Sequence, residues 1–406
     1  MNKKNIVIAS LSILSIVLFI LVGVKINKKI ELKNAKIVVE LKEDLETEFL
    51  SKVKVSDFIT NINGFITNDY NIDTTIIGEK EIKFEYINED NIKIPYSYEL
   101  NIKDTTPPVV WLGSSYTVNK GSKVNLTEKI MCGDNYDDNP SCEIIGEYDM
   151  DTVGTYPLTF KATDSSNNIT EKKFNLYVIE PKPNSGNNNS SKPSPKTYFS
   201  DIVEKHKNED TEIGLDLSEW QGTVDFKRIK EAGVEFVILR VGGTKGIKGE
   251  YFLDGKFIEN ITKANEIGMP VGVYFYSYAN SKEKVLKDAE WIYEQIKPYK
   301  VELGVAYDWE NWSFYNDFNL SFYKLTDMAN SYLNYFKSKG YKGLLYGSKN
   351  YLEQIWLDTD YPIWLAHYAK STSYKGNYHY WQICSNGRVD GINVDVDIDI
   401  RYKNKN

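Results

Sequence analysis

At 406 residues the chain is too long for a single small fold, and typical domain sizes of about 100–200 residues predict two to four domains. Hydrophobic residues at 41% and charged residues at 26% exclude wholesale disorder and a polytopic membrane protein. A net charge of -8 offers no broad attraction for nucleic-acid phosphates, and three His with three Cys are too few for a Cys-rich zinc module, so chemistry must rest mainly on carboxylates.

Residues 1–34 contain an uncharged run of 19 residues, Ile6 to Val24, set between Lys3 and Lys4 on one side and Lys25, Lys28 and Lys29 on the other. That length spans a bilayer. No small-x-small cleavage site follows it and no Cys is there to carry a lipid, which predicts an uncleaved single-pass anchor with the rest of the chain outside the cell. Lysines on both sides leave the orientation open, and the alternative is a cleaved signal and a secreted protein.

Segments 73–104 and 149–180 align without a gap at an offset of 76, pairing Ile77-Gly78 with Val153-Gly154, Phe84 with Phe160 and Leu100 with Leu176. Apolar residues alternate in both copies (Ile82, Phe84, Tyr86; Leu158, Phe160, Ala162), the period of strands with one buried face. Two all-β sandwiches are predicted, at 35–104 and 105–180. The second opens with Asp104-Thr-Thr-Pro-Pro108 and carries Asp164-Ser-Ser-Asn-Asn168 at a turn, and so resembles bacterial immunoglobulin-like domains of Gram-positive surface proteins. Its Cys132 and Cys142 invite a local disulfide in an exported protein. The loop between them, Gly133 to Asn139, is rich in oxygen ligands and raises a calcium reading, but its spacing is not that of an EF-hand and a merely solvated loop is the alternative.

Residues 181–200 form a linker whose stretch 181–197 has four prolines and no apolar residue. It cannot bury a core and reads as a tether between independent bodies.

In the last domain, 201–406, apolar strands alternate with helical stretches at 225–232, 257–267, 281–297 and 321–339, closed by Gly233, Gly268, Pro298 and Gly340. Strand-like runs end at Leu217, Gly242, Ala279, Glu310, Gly347, Tyr368, Ser385 and Tyr402. The pattern predicts an α/β TIM-like barrel of the (β/α)5(β)3 type. Acids cluster at the strand ends: Asp216 on the first, Asp308 and Glu310 on the fourth, and Asp395, Asp397 and Asp399 on the last. Residues two apart share a strand face, so Asp308 and Glu310 are expected to point together into the barrel mouth, with Cα atoms about 6.5–7 Å apart. Gathered carboxylates raise at least one pKa and supply a proton for a leaving oxygen.

The run Gly214-Leu-Asp216-Leu-Ser218-Glu-Trp220-Gln-Gly222, Asp308-Trp-Glu310, Trp364-Leu-Ala-His-Tyr368, Trp381-Gln382 and Val396-Asp397 together resemble glycoside hydrolase family 25, the Chalaropsis-type lysozymes, over about residues 211–402. The resemblance implies an N-acetylmuramidase that cleaves the β-1,4 bond between N-acetylmuramic acid and N-acetylglucosamine in peptidoglycan, without cofactor or metal, tethered to the cell surface for wall remodelling or lysis. By motif it makes Glu310 the general acid, Asp308 its partner, and Asp216 and Asp397 supporting carboxylates. The doublet Val394-Asp395-Val396-Asp397 leaves the register open by two, with Asp395 the other choice. Tyr274, Tyr276 and Tyr278 alternate toward one side of the third strand, Trp312 follows the fourth, and Trp364 and Trp381 lie in family motifs; these are candidate substrate contacts, although barrels also fill their interiors with aromatics. A run at 390–399 resembles the DGxDxDxE strand of family 18 chitinases, but it ends in Asp399 and stands at the end of the chain rather than mid-barrel. Rival readings are a glucosaminidase, a non-catalytic wall-binding protein, and a metal hydrolase, which His206, His367 and His379 do not favour by spacing. Peptidoglycan is the expected partner, with the membrane through the N-terminal helix; nucleic acid and an obligatory protein partner are not expected.

Overall fold

The structure, a computed structural model, describes residues 32–181, 195–310 and 318–405. The run Ile6 to Val24 lies outside the described residues, and among the described ones no helix is long and apolar enough to cross a membrane. The described residues fall into two compact units, divided between Thr105 and Thr106.

The internal repeat emerges as two hairpins of matching register. In the first unit, strand Gly78–Asn88 pairs antiparallel with Lys93–Lys103, with Ile82 opposite Tyr98. In the second, Gly154–Thr163 pairs with Ile169–Ile179, with Leu158 opposite Phe174, each position displaced by the same 76 residues. Alternation sets the buried face: Ile82, Phe84 and Tyr86 in one copy, Leu158, Phe160 and Ala162 in the other. Both hairpins turn through a left-handed asparagine, Asn91 at φ 62 and Asn167 at φ 68, a conformation that Asn tolerates better than most side chains.

The immunoglobulin-like character expected of these repeats is not confirmed. Each hairpin belongs to a four-stranded sheet in which a short strand, Glu46–Glu48 or Ser115–Asn119, pairs parallel to the hairpin's second strand. A separate two-stranded ribbon completes each repeat, Val39–Leu41 with Ile59–Ile62 and Val109–Trp111 with Met131–Gly133. That mixed, short-stranded pattern departs from the two antiparallel sheets of an immunoglobulin fold. Cys132 and Cys142 are joined as a disulfide.

The barrel departs from expectation too. Strands Thr211–Leu217, Phe236–Thr244, Val271–Tyr276, Gly304–Asp308, Gly343–Ser348, Ile363–Ala366 and Tyr380–Arg388 run parallel in that order. Val396–Tyr402 then closes the ring antiparallel to both its neighbours, Tyr380–Arg388 and Thr211–Leu217. The expected α/β TIM-like barrel of the (β/α)5(β)3 type is therefore corrected: among the described residues the chain is mostly β, and its C-terminal domain is a β-rich barrel of eight strands with few helices. Two of its helices, Phe226–Glu231 and Lys349–Gln354, are only six residues long, so strand pairing and not a full helical coat defines the architecture. The four helical stretches expected from the sequence are present, as Phe226–Glu231, Phe257–Glu266, Lys282–Ile296 and Phe322–Ser338.

Strand alternation divides the barrel's apolar residues between two cores. Phe236, Ile238, Ala306, Tyr346, Trp364 and Tyr380 fill the interior. Val237, Leu239, Val305, Tyr307, Leu345 and Trp381 face outward against the helices. The interior positions near the strand ends are where the acids stand.

Candidate active site

Asp216 comes from the first barrel strand, where Ile213, Leu215 and Leu217 point to the outer core and so turn Gly214 and Asp216 inward. The antiparallel closing strand sets Asp397 directly opposite Asp216 and Asp399 opposite Gly214. On the fourth strand Asp308 is the last residue, and Glu310 follows two residues later, with buried Trp309 turned the other way into the outer core. One cavity is lined by Asp216, Asp308, Glu310 and Asp397. Tyr274, Tyr276 and Trp364 share its wall, as do Arg240, Tyr346, Tyr368 and Gln382. No His or Cys is among these lining residues.

Gln382 is the hub of this arrangement. Its amide nitrogen donates to Asp216 Oδ2 and to Asp397 Oδ2, each at 3.2 Å. Its carbonyl oxygen accepts from the hydroxyls of Tyr346 at 3.1 Å and Tyr368 at 2.9 Å. One neutral side chain thus ties two acids and two phenols into a fixed frame. Deeper in, Asp399 accepts from the Trp364 indole N–H at 2.8 Å.

Burial, and behind it the crowding of like charges, raises the pKa of each of these carboxyls above the ordinary carboxylate value. Burial, then the charges of Asp397, Asp399 and Asp308, push Asp216 up. Burial and the neighbouring Glu310 raise Asp308, with the Arg240 guanidinium pulling the other way. Glu310 is raised by burial and partly held down by a hydrogen bond from Tyr346. Asp397 is pushed up to about 7, first by burial and then by Glu310. Burial dominates again at Asp399, offset by the Trp364 bond. A site of this kind holds both proton donors and charged carboxylates near neutral pH.

Among the residues expected at the site, Asp216, Asp308, Glu310, Asp397, Tyr274, Tyr276 and Trp364 converge on the cavity. Three others are placed elsewhere. Asp395 precedes the closing strand and is held outside the cavity by Lys196, at 2.8 Å, and by Arg388. Trp381 has the opposite parity to Gln382, sits in the outer core, and donates to the His367 carbonyl at 2.9 Å. Tyr278 packs on Tyr276 at 5.3 Å without lining the cavity. Trp312 lies outside the described residues. His367 is engaged with Thr372 at 2.9 Å, away from the cavity lining.

Sequence reasoning missed Arg240, Tyr346, Tyr368 and Gln382. Arg240 had a signal, being one cation inside the apolar strand Phe236–Thr244. It is locked by Asp254 at 2.7 Å and Glu219 at 2.9 Å, so its charge is delivered to the cavity in a fixed position. Gln382 and Tyr368 stood inside recognised motifs, but only strand parity distinguishes Gln382 from its neighbour Trp381.

Residues 215–392 match the family described as glycosyl hydrolases family 25. The chain is similar to the autolytic lysozyme of Clostridium acetobutylicum, 26% identical over 189 residues that cover 46% of this chain and 54% of that protein. It thus spans about half the length of that relative. Similarity extends to lysozyme M1 of Streptomyces globisporus, 24% identical over 202 residues, covering 45% and 65% of the two chains. Among solved structures, a family 25 glycosyl hydrolase from Bacillus anthracis matches with a TM-score of 0.40 and 21% identity, over 49% of this chain and 92% of the other.

Proposed function

We propose that the protein is a lysozyme, an N-acetylmuramidase that hydrolyses the β-1,4 bond between N-acetylmuramic acid and N-acetylglucosamine in peptidoglycan. The observation that carries this reading is the meeting of Asp216, Asp308, Glu310 and Asp397 in one cavity of the region that matches family 25. Glu310 is the general acid: it lies beyond the strand end, lines the cavity and has a raised pKa, so it can protonate the departing glycosidic oxygen. Asp308, one side chain away on the same face, orients the substrate's 2-acetamido group, whose carbonyl oxygen attacks the anomeric carbon as the glycosidic bond breaks. Glu310, now ionised, takes a proton from the water that opens the cyclic intermediate, and configuration is retained. Direct attack by Asp308 would give the same stereochemistry; the placement of the two acids two residues apart at the end of one strand favours the acetamido route. Asp216 and Asp397, held by Gln382, sustain the field around the reacting centre.

Glu310→Gln preserves shape and deletes the transferable proton, so lysis of purified walls is expected to fall by about 10² to 10⁴ with the fold intact by circular dichroism. A variant that kept more than about a tenth of wild-type turnover would sink the assignment, since such catalysis contributes more than that. Asp308→Asn is expected to be severely impaired as well. Mass spectrometry of the released fragments is expected to find muramic acid at the reducing end; glucosamine there would make the enzyme a glucosaminidase. Ile6 to Val24 supplies, in this reading, a single membrane anchor that holds the domain at the outer surface, next to its polymeric substrate.

A further inference from the structure

The acidic loop of the second β repeat is joined to the barrel. The helix Phe322–Ser338 begins with N–H groups that no residue of the helix can satisfy. Phe322 and Tyr323 donate theirs to the carbonyls of Asp134 and Asn135, at 2.8 and 3.1 Å. Asp138 accepts the Ser321 N–H at 3.0 Å and pairs with Lys324. Met131 is buried in the barrel's outer core. Beside it, Trp111 meets the ring of Tyr351 edge-on at 5.5 Å. Tyr351 packs on Trp309 at 6.0 Å, and its hydroxyl donates to the Glu310 carbonyl at 3.2 Å.

We propose that the second β repeat is a positioning element of the catalytic unit: Trp111, through Tyr351, holds the backbone at Glu310. The assignment of a catalytic task to Glu310 rests on the function proposed above. Glu310 stands two residues past the end of its strand, so the ladder that fixes Asp308 does not extend to it. The Tyr351 hydroxyl supplies a hold in its place, and the Trp111 ring limits where Tyr351 can go. Displacement of a reacting group by about 1 Å can lower a rate by as much as about 10². The unit that works is then residues 106–406, and the proline-rich stretch joins two bodies that are already in contact rather than a stalk to a free enzyme.

The test uses the full chain. A protease recognition sequence placed within residues 183–194 is cut, and the two pieces are followed by gel filtration; they are expected to elute together. In the uncut chain Trp111→Ala is expected to lower kcat on purified peptidoglycan at least about tenfold with KM within about twofold, and Trp111→Phe to keep most of the rate. The Glu310 carboxyl titration, followed by carbon NMR, is expected to fall toward the ordinary carboxylate range in Trp111→Ala as the segment loosens. Pieces that separate, or a Trp111→Ala protein with wild-type kcat and unchanged Glu310 titration, would overturn the proposal. Should Trp111→Ala fail to fold, Asp138→Lys sets like charges together at an exposed pair; it is expected to weaken association of the cut pieces at least tenfold and to be rescued by Lys324→Asp, and undiminished association would overturn the docking. A wild-type chain that cuts no glycan would end the lysozyme reading, while association and the Glu310 titration would still decide this one.

Discussion

Gln382 and Asp397 show how much of the site depends on single atoms. The Gln382 amide satisfies two buried carboxyls and two phenols at once, with no room for a charge of its own. Gln382→Leu removes both N–H donors and the shared acceptor; a hydrogen bond is worth about 0.5–1.5 kcal/mol net and four are lost, so kcat/KM is expected to fall at least tenfold. Asp397 is expected to govern the alkaline limb of activity. Asp397 is raised partly by Glu310, and the repulsion is mutual, so an ionised Asp397 helps Glu310 keep its proton. Asp397→Asn removes that charge, and the alkaline fall of kcat/KM is expected to begin at lower pH. Stability should follow the same group. A carboxyl raised to about 7 from 3.8 contributes stability that is complete below the lower value and lost as pH rises through the upper one. Asp397→Asn should therefore flatten the decline in Tm between those values, and a melting series across pH reads it directly.

At the scale of elements, the first barrel strand depends on a glycine. A Cβ on Gly214 would lie 2.6 Å from ring atoms of Phe236, and that ring is itself fixed edge-on against Tyr380 at 6.0 Å inside the barrel. Along its other edge the same strand pairs with the closing strand, which sets Asp216, two residues on, level with Asp397. Gly214→Ala is expected to destabilise by about 1–3 kcal/mol, the usual range for overpacking, and to lower Tm and activity together. Unchanged melting would show that the interior has more room than the packing implies. The helices were easier to foresee, because their ends carry local signals: Ser281 and Ser321 cap their starts, and Gly268 and Gly340 take left-handed φ of 64 and 88 just past their ends.

For the whole molecule, the proposed anchor and the proposed positioning role of the second repeat set where the chain is expected to act and what its working unit is expected to be. If Ile6 to Val24 remains in the bilayer, the full-length protein is expected to stay with membranes through high-salt and carbonate washes, because salt screens charge but does not bring a 19-residue apolar run into water. Native protein found processed near residue 25 and free in the medium would reverse that. EDTA is expected to leave peptidoglycan hydrolysis unchanged, since the cavity lining offers carboxylates, phenols and one guanidinium; loss of activity restored by zinc or calcium would reject a carboxylate-only site.

The sequence by itself determined what depends on neighbours along the chain. Alternation fixed the repeat hairpins, Ser and Gly marked helix ends, and acids two apart at strand ends announced Asp308 with Glu310 and narrowed the last acid to Asp395 or Asp397. Tertiary structure decided what depends on neighbours across the sheet. Antiparallel closure put Asp397, not Asp395, opposite Asp216. Parity in the seventh strand sent Gln382 inward and Trp381 outward, and the Tyr346 and Tyr368 hydroxyls met Gln382 from two other parts of the chain. The fold class was misjudged for the same reason: periodicity reports that a segment has an apolar face, but not which way the last strand runs or how the ring closes. The packing of the acidic loop on the helix after the fourth strand was invisible, because its main bonds are backbone carbonyls to backbone N–H groups, which every residue possesses and no sequence pattern singles out.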